Sequence, residues 1–181
     1  MSAFNFKKFS SVCLLASGIA VSVGASAASG GVINVTGKVT ETSCVVSASA
    51  VTISLPTVDK SVLAVLANTS GTTGFIINVT GCDAALGVTA RFTPDANTTS
   101  SGNLKNMTTE SATSASVQIL DQNRNVINIQ TDDETSAAAR RVVASSTGTA
   151  NLQYYAQYYA ETANTTVGDL TASANFTLSY Q

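Results

Sequence analysis

Leu170-Thr171-Ala172-Ser173-Ala174-Asn175-Phe176-Thr177-Leu178-Ser179-Tyr180-Gln181 carries the plainest mark of the architecture. Leu170, Ala172, Ala174, Phe176, Leu178 and Tyr180 fall at every second position, with polar residues between most of them. Alternation of this kind is the signature of a strand buried on one face. The pattern runs to the last residues with no polar tail after it. Chain ends fray unless they are tied down, and an uncovered strand edge templates aggregation. Something is therefore expected to cover this edge.

The same period recurs upstream. Leu152, Tyr154, Ala156, Tyr158 and Ala160 make one face of a long strand, and Phe75, Ile77 and Val79 alternate before Gly81-Cys82. Val88, Ala90 and Phe92 lead to a turn at Pro94-Asp95, while Val51, Ile53 and Leu55 read as a short strand stopped by Pro56. Val117 and Ile119, then Val126 to Ile129, flank five polar residues at 121–125, a hairpin or a kinked strand. Residues 97–106 and 131–149 read as polar loops, the latter with a helical turn at Ala137 to Ala139; Ser61 to Leu66 resembles another short helical turn. About seven to nine short strands at spacings of roughly 8–15 residues is the profile of an all-β sandwich.

Composition narrows the function. The 181 residues are 44% hydrophobic and 11% charged, which suits one folded domain and not a disordered chain. With no histidine, the commonest general base and metal ligand is missing. No phosphate loop, nucleophile elbow or acid/base carboxylate pair is present, so no catalytic residue, cofactor or metal centre is expected. Asp132-Asp133-Glu134 reads as a solvated acidic loop and Arg140-Arg141 as a surface pair.

The first residues read as a secretory signal. Lys7 and Lys8 precede the apolar run from Val12 to Val23, and Ala25-Ser26-Ala27 offers a small-residue cleavage site. The run is diluted by Ser and Gly and falls short of the ~20 apolar residues of a spanning helix. Residues 1–27 are assigned to the signal. Loss of Lys7 and Lys8 leaves seven of the nine basic residues against 11 acidic ones, a net charge of -4. No nucleic-acid partner fits that balance. Cys13 leaves with the signal, and Cys44 and Cys82 remain. A pair in an exported chain favours a disulfide, worth roughly 4 kcal/mol in the chain-entropy model; a zinc site is the weaker reading.

A second alternating stretch, Gly31, Ile33, Val35, Gly37 and Val39, follows the flexible lead at 28–31. Gly37 is odd inside an ordinary strand, because an interior glycine weakens it and marks close approach of another backbone. A strand-like segment at one end and an uncovered edge at the other can join head to tail, and heterologous joints of that kind build open filaments.

The chain resembles the major subunits of type 1 chaperone-usher pili along its whole length. The matching segments are Gly37-Lys38-Val39, Thr42-Ser43-Cys44-Val45-Val46, Leu55-Pro56-Thr57-Val58 and Phe75 to Cys82. Val117 to Asp121, Ala156 to Ala160, and Phe176 to Gln181 match as well, with Tyr180 next to last and Gly168 fourteenth from the end. The resemblance implies an incomplete immunoglobulin-like sandwich completed by a donor strand from a neighbouring subunit. In this family a periplasmic chaperone first lends a strand to the groove, and at an outer-membrane usher the next subunit's N-terminal extension replaces it.

Carried over by motif, residues 28–39 are the donor extension and 40–181 the pilin domain. Gly31, Ile33, Val35, Gly37 and Val39 become the groove-filling donor face, while Gly168, Phe176, Leu178 and Tyr180 serve the groove and chaperone recognition. Period two places Tyr154 and Tyr158 in the core and Tyr155 and Tyr159 on the opposite face, where contact between stacked subunits is expected. The implied partners are other copies of the chain, the chaperone, the usher, and tip or adaptor subunits. The implied location is the extracellular surface fimbrium of a Gram-negative bacterium, reached through the periplasm. The alternatives are a minor pilus adaptor and a self-complete, secreted carbohydrate-binding β-sandwich.

Overall fold

A computed structural model describes residues 44–48 and 50–180. The signal segment and the donor face at 31–39 lie outside the described residues. Among the described residues, eight strands form two sheets. The larger contains β1 (Val45–Val46), β2 (Thr69–Thr80), β4 (Ala115–Leu120), β5 (Val126–Ile127) and β7 (Ala150–Ala160), in the order β1-β2-β7-β4-β5. The smaller contains β3 (Gly87–Thr93), β6 (Val142–Val143) and β8 (Asn175–Tyr180), in the order β6-β3-β8. All ladders between these strands are antiparallel.

The alternating residues do what their period predicts. Phe75, Ile77 and Val79 on β2 stand opposite Tyr154, Leu152 and Ala150 on β7. Ile77, Val79, Leu152 and Tyr154 are almost wholly buried, together with Val88, Ala90 and Phe92 from the facing sheet. Tyr154 spans the two layers. Its ring meets Phe92 edge-on with centroids 5.3 Å apart, and its hydroxyl accepts the Ala90 N–H at 3.1 Å. A buried phenol needs such a partner, since an unpaired hydroxyl in the core is costly.

The hairpin at 121–125 is present, with Ile119 opposite Ile127 and the Asp121 carboxylate accepting the Asn123 and Asn125 N–H groups at 2.8 Å. Near Ser61 a 3-10 turn, Lys60–Leu63, forms as anticipated and buries Leu63.

Three expectations are corrected. The helical turn expected at Ala137 to Ala139 is present but lies earlier, as helix α1 (Glu134–Ala138), capped by Asp133 in a reciprocal capping box with Ser136, and the stretch read as loop after it contains β6. Asp132 is not solvated, nor is Arg140 a surface residue. Both are buried and ion-paired, with Asp132 also accepting the Phe92 N–H at 2.7 Å and Arg140 donating to the Ala90 carbonyl at 3.1 Å. The reason lies in the sheet: β6 pairs only with Gly87 and Val88, and beyond it side chains replace a strand along β3. Finally, Val51, Ile53 and Leu55 belong to no sheet.

Candidate functional site

The two sheets do not close along one side. A cavity of about 670 Å³ opens there, bounded by two extended stretches, residues 50–55 and 170–176. Each stretch turns alternate apolar side chains inward: Ile53 and Leu55 from one, Leu170, Ala172, Ala174 and Phe176 from the other, all partly buried. Phe75, Phe92, Val117, Ile119 and Ala156 floor the cavity, and Tyr158 stands at one end beside Leu170.

The lips have strand-like sequence without strand pairing until β8 begins, where Asn175 and Phe176 pair with Thr93 and Phe92 of β3. Among the described residues, no backbone hydrogen bond joins 50–58 to another segment, and residues 172–174 make none. Thr171 is held from outside, its carbonyl accepting the Met107 N–H at 2.7 Å and its N–H donating to Asn106 Oδ1 at 3.1 Å. Downstream, β8 is the edge of its sheet, paired on one side by β3. The geometry is that of a sandwich one strand short. An extended segment laid between the lips would cover the apolar floor and offer ladder partners to backbone groups that have none.

Small residues make the gap. Ala172 and Ala174 sit at inward positions of the second lip and Ala156 on the floor, so the seam is not filled by its own side chains. That is the signal by which the lip residues could have been separated from ordinary core in the sequence.

The family-derived positions fall in different places. Phe176 lines the cavity and packs on Phe92 with centroids 6.3 Å apart. Leu178 and Tyr180 lie farther along β8, opposite Ala90 and Val88, partly buried against the core and outside the cavity. The Tyr180 hydroxyl donates to the Cys44 carbonyl at 3.3 Å, and burial raises its pKa. Gly168 does not line the cavity either. Its φ is +148°, and a Cβ there would stand 2.1 Å from the Ser111 carbonyl oxygen. It lets the chain pass close enough for Asp169 to exchange backbone hydrogen bonds with Ser111 and Thr113, immediately before the lip begins at Leu170.

Cys44 and Cys82 form the disulfide, joining the start of β1 to the turn after β2. Tyr155 is half-buried beneath the Arg124 guanidinium, 4.4 Å from its ring centre, and Tyr159 is half-buried. Sequence reading overlooked a polar chain across the larger sheet: Thr72 donates to Gln157, Gln157 to Gln118, and Gln118 to Asn103. Asn103, Ser101 and Ser116 donate in turn to Glu161. Burial alone would raise the Glu161 pKa, but hydrogen bonds from Asn103, Ser116, Ser101 and Thr99 outweigh it and the pKa is lowered.

Known proteins agree with this architecture. The family profile described as FimA, type-1 fimbrial protein, A, matches residues 55–181. The chain is 37% identical over 163 residues to the major fimbrial subunit SMF-1 of Stenotrophomonas maltophilia, covering 84% of this chain and 94% of that protein. It is 35% identical over 170 residues to the F17 fimbrial protein of Escherichia coli, covering 90% and 93%. Among solved structures, a chaperone-usher pilus subunit from a study of rod uncoiling has a TM-score of 0.55 at 20% identity, covering 85% of this chain and 97% of that one. The P pilus rod subunit PapA has a TM-score of 0.55 at 19% identity, covering 76% and 99%. These two likenesses concern the fold. With the profile spanning most of the chain and two full-length relatives above 30% identity, the chain belongs to the type-1 fimbrial protein family and is a structural pilus subunit.

Proposed function

We propose that this chain is the repeating subunit of an adhesive surface pilus and polymerises head to tail by strand exchange. The observation that carries the reading is the open seam, an apolar floor between two extended lips of which residues 50–55 and 170–174 belong to no strand. Residues 28–39 of the next copy fill it, with Ile33, Val35 and Val39 directed to the floor and Gly37 where a larger side chain would not fit. Each aliphatic so buried contributes about 1.5–3 kcal/mol. Before assembly a periplasmic chaperone occupies the seam, and exchange takes place at an outer-membrane usher on the way to the cell surface. Tip or adaptor subunits end the filament. Phe176 serves the groove directly, Leu178 and Tyr180 extend the edge on which the chaperone docks, and Gly168 shapes the lip. Cys44 and Cys82 hold the root of the extension, and Tyr155 and Tyr159 face stacked copies. The chain does this work without catalysis or cofactor.

The test compares mature residues 28–181 with a chain starting at Val39, each expressed with and without the chaperone. Size exclusion and negative-stain microscopy read the result. Fibres from the longer chain alone, and a shorter chain stable only with chaperone, are expected. A stable two-state monomer of residues 28–181 that makes no fibres after prolonged incubation would count against strand exchange. In the same assay Gly37→Leu is expected to abolish fibres while chaperone binding persists.

A further inference from the structure

Beyond the seam, the molecule carries an apolar surface at one end. Val62, Val65 and Leu66 are 44%, 60% and 57% exposed, three aliphatics within five residues of a surface turn. The turn is a fixed feature: Asp59 accepts the Ser61 N–H, Leu63 is buried, the Asn68 side chain donates to the Val62 carbonyl, and the Asn68 N–H donates to Val65. Asn164 N–H binds the Ala64 carbonyl and so joins the turn to the loop that carries exposed Val167. Isolated exposed aliphatics are ordinary, but a rigid cluster of them marks a surface that is covered in use.

The topology identifies what covers it. β2 runs from this turn, where Ala67 bonds Ala160, to the opposite end, where Thr80 stands beside Val45 and the disulfide. At that far end Val45 and Val143 are 63% and 62% exposed. The chain that precedes Cys44 enters the domain there. We infer that the Val62–Val65–Leu66 surface of one copy docks the Val45–Val143 end of the next, a heterologous contact that rests on the strand-exchange reading above.

Strand direction supports this pairing of ends. Of the two lips, the second continues into a sheet strand, β8, whose outer edge is free, whereas residues 50–55 lead into no strand of either sheet. Antiparallel addition is the more stable mode and the mode of all ladders between strands here. A donor lying antiparallel to residues 170–180 has its C-terminal end beside Leu170, and Leu170 packs with Leu63 at the turn. The donor's own body, whose described part begins at Cys44, therefore arrives on Val62, Val65 and Leu66. The same geometry repeated from copy to copy gives an open chain of subunits.

The experiment uses the full exported chain carrying Val65→Lys with Leu66→Lys, and separately Val143→Lys. Two readouts are taken: binding of a synthetic peptide of residues 28–43 to chaperone-released subunit, and the yield and denaturant resistance of fibres. Peptide binding is expected to stay within about twofold while fibre yield or resistance falls about tenfold or more, as for truncation of a contact centre. Val65→Glu combined with Val143→Lys should restore fibres by placing opposite charges across the joint. Unchanged fibres in both Lys variants overturn the inference and leave strand exchange standing. Wild-type subunit that neither binds the peptide nor makes fibres overturns strand exchange itself, and this inference with it. All these positions are exposed; a variant that fails to fold is replaced by Val65→Thr with Leu66→Gln, read in the same way.

Discussion

Tyr180 Oη donates a hydrogen bond to the carbonyl of Cys44, 136 residues away in sequence. It ties the strand at the C-terminal edge to the residue at which the described domain begins. Tyr180→Phe removes the bond while keeping the ring, so a loss of about 0.5–1.5 kcal/mol is expected in denaturant unfolding. The phenol also predicts a pH effect. Burial raises its folded pKa above the ordinary value of 10.0, so its stabilising contribution is complete below that value and is lost as pH rises through the folded pKa. The difference between wild type and Tyr180→Phe should therefore shrink in alkali.

The ion pair of Asp132 with Arg140 is buried and carries backbone partners on β3. Asp132→Ala leaves an uncompensated guanidinium and an unpaired Phe92 N–H in the interior. A loss of about 3–5 kcal/mol is expected from urea unfolding midpoints. Arg140→Met in the same chain should recover part of it. Equal losses in the single and double variants would mean that the backbone bonds, and not the stranded charge, dominate.

Glu161 makes the acid side of the stability profile testable. Its folded pKa is lowered from the ordinary 4.5, so its contribution is present above that value and fades as pH falls through the folded pKa. Wild type should exceed Glu161→Gln in stability at neutral pH and approach it in acid. The carboxylate is partly exposed, which keeps the effect modest. A stability difference independent of pH would remove protonation as its cause.

Gly168→Ala should be severe for its size. The added methyl meets Ser111 and Ala112 backbone at distances no real side chain adopts, at a φ that L-residues avoid. The adjoining lip would be displaced, so peptide binding to the seam should fall more than the unfolding midpoint does. Crystallography or hydrogen exchange across 106–113 would read the displacement directly.

The core was largely legible in the sequence, because strands with one buried face repeat every second residue. Phe75, Ile77 and Val79 and their partners Tyr154, Leu152 and Ala150 need only that period. Val51, Ile53 and Leu55 obey it too, yet among the described residues they have no backbone partner. Alternation reports which side chains face the interior; it does not report whether the neighbouring strand is supplied by the same molecule. Asp132 and Arg140 were misplaced for a related reason. Their burial follows from the two-residue length of β6, which no local pattern encodes. Tyr158 was expected in the core with Tyr154, but only Tyr154 is fully enclosed, because Tyr158 stands where the seam opens.

The disulfide between Cys44 and Cys82 lies where the preceding chain enters the domain. Tension arriving through that chain meets a covalent shunt before it reaches residues 45–81. The first lip of the seam and all of β2 sit inside the bypassed loop, so pulling cannot peel them away in sequence. Roughly 130 Å of extended chain is thereby withheld at about 3.5 Å per residue. Under load the molecule must yield elsewhere or not at all, and a reducing agent should make that hidden length available.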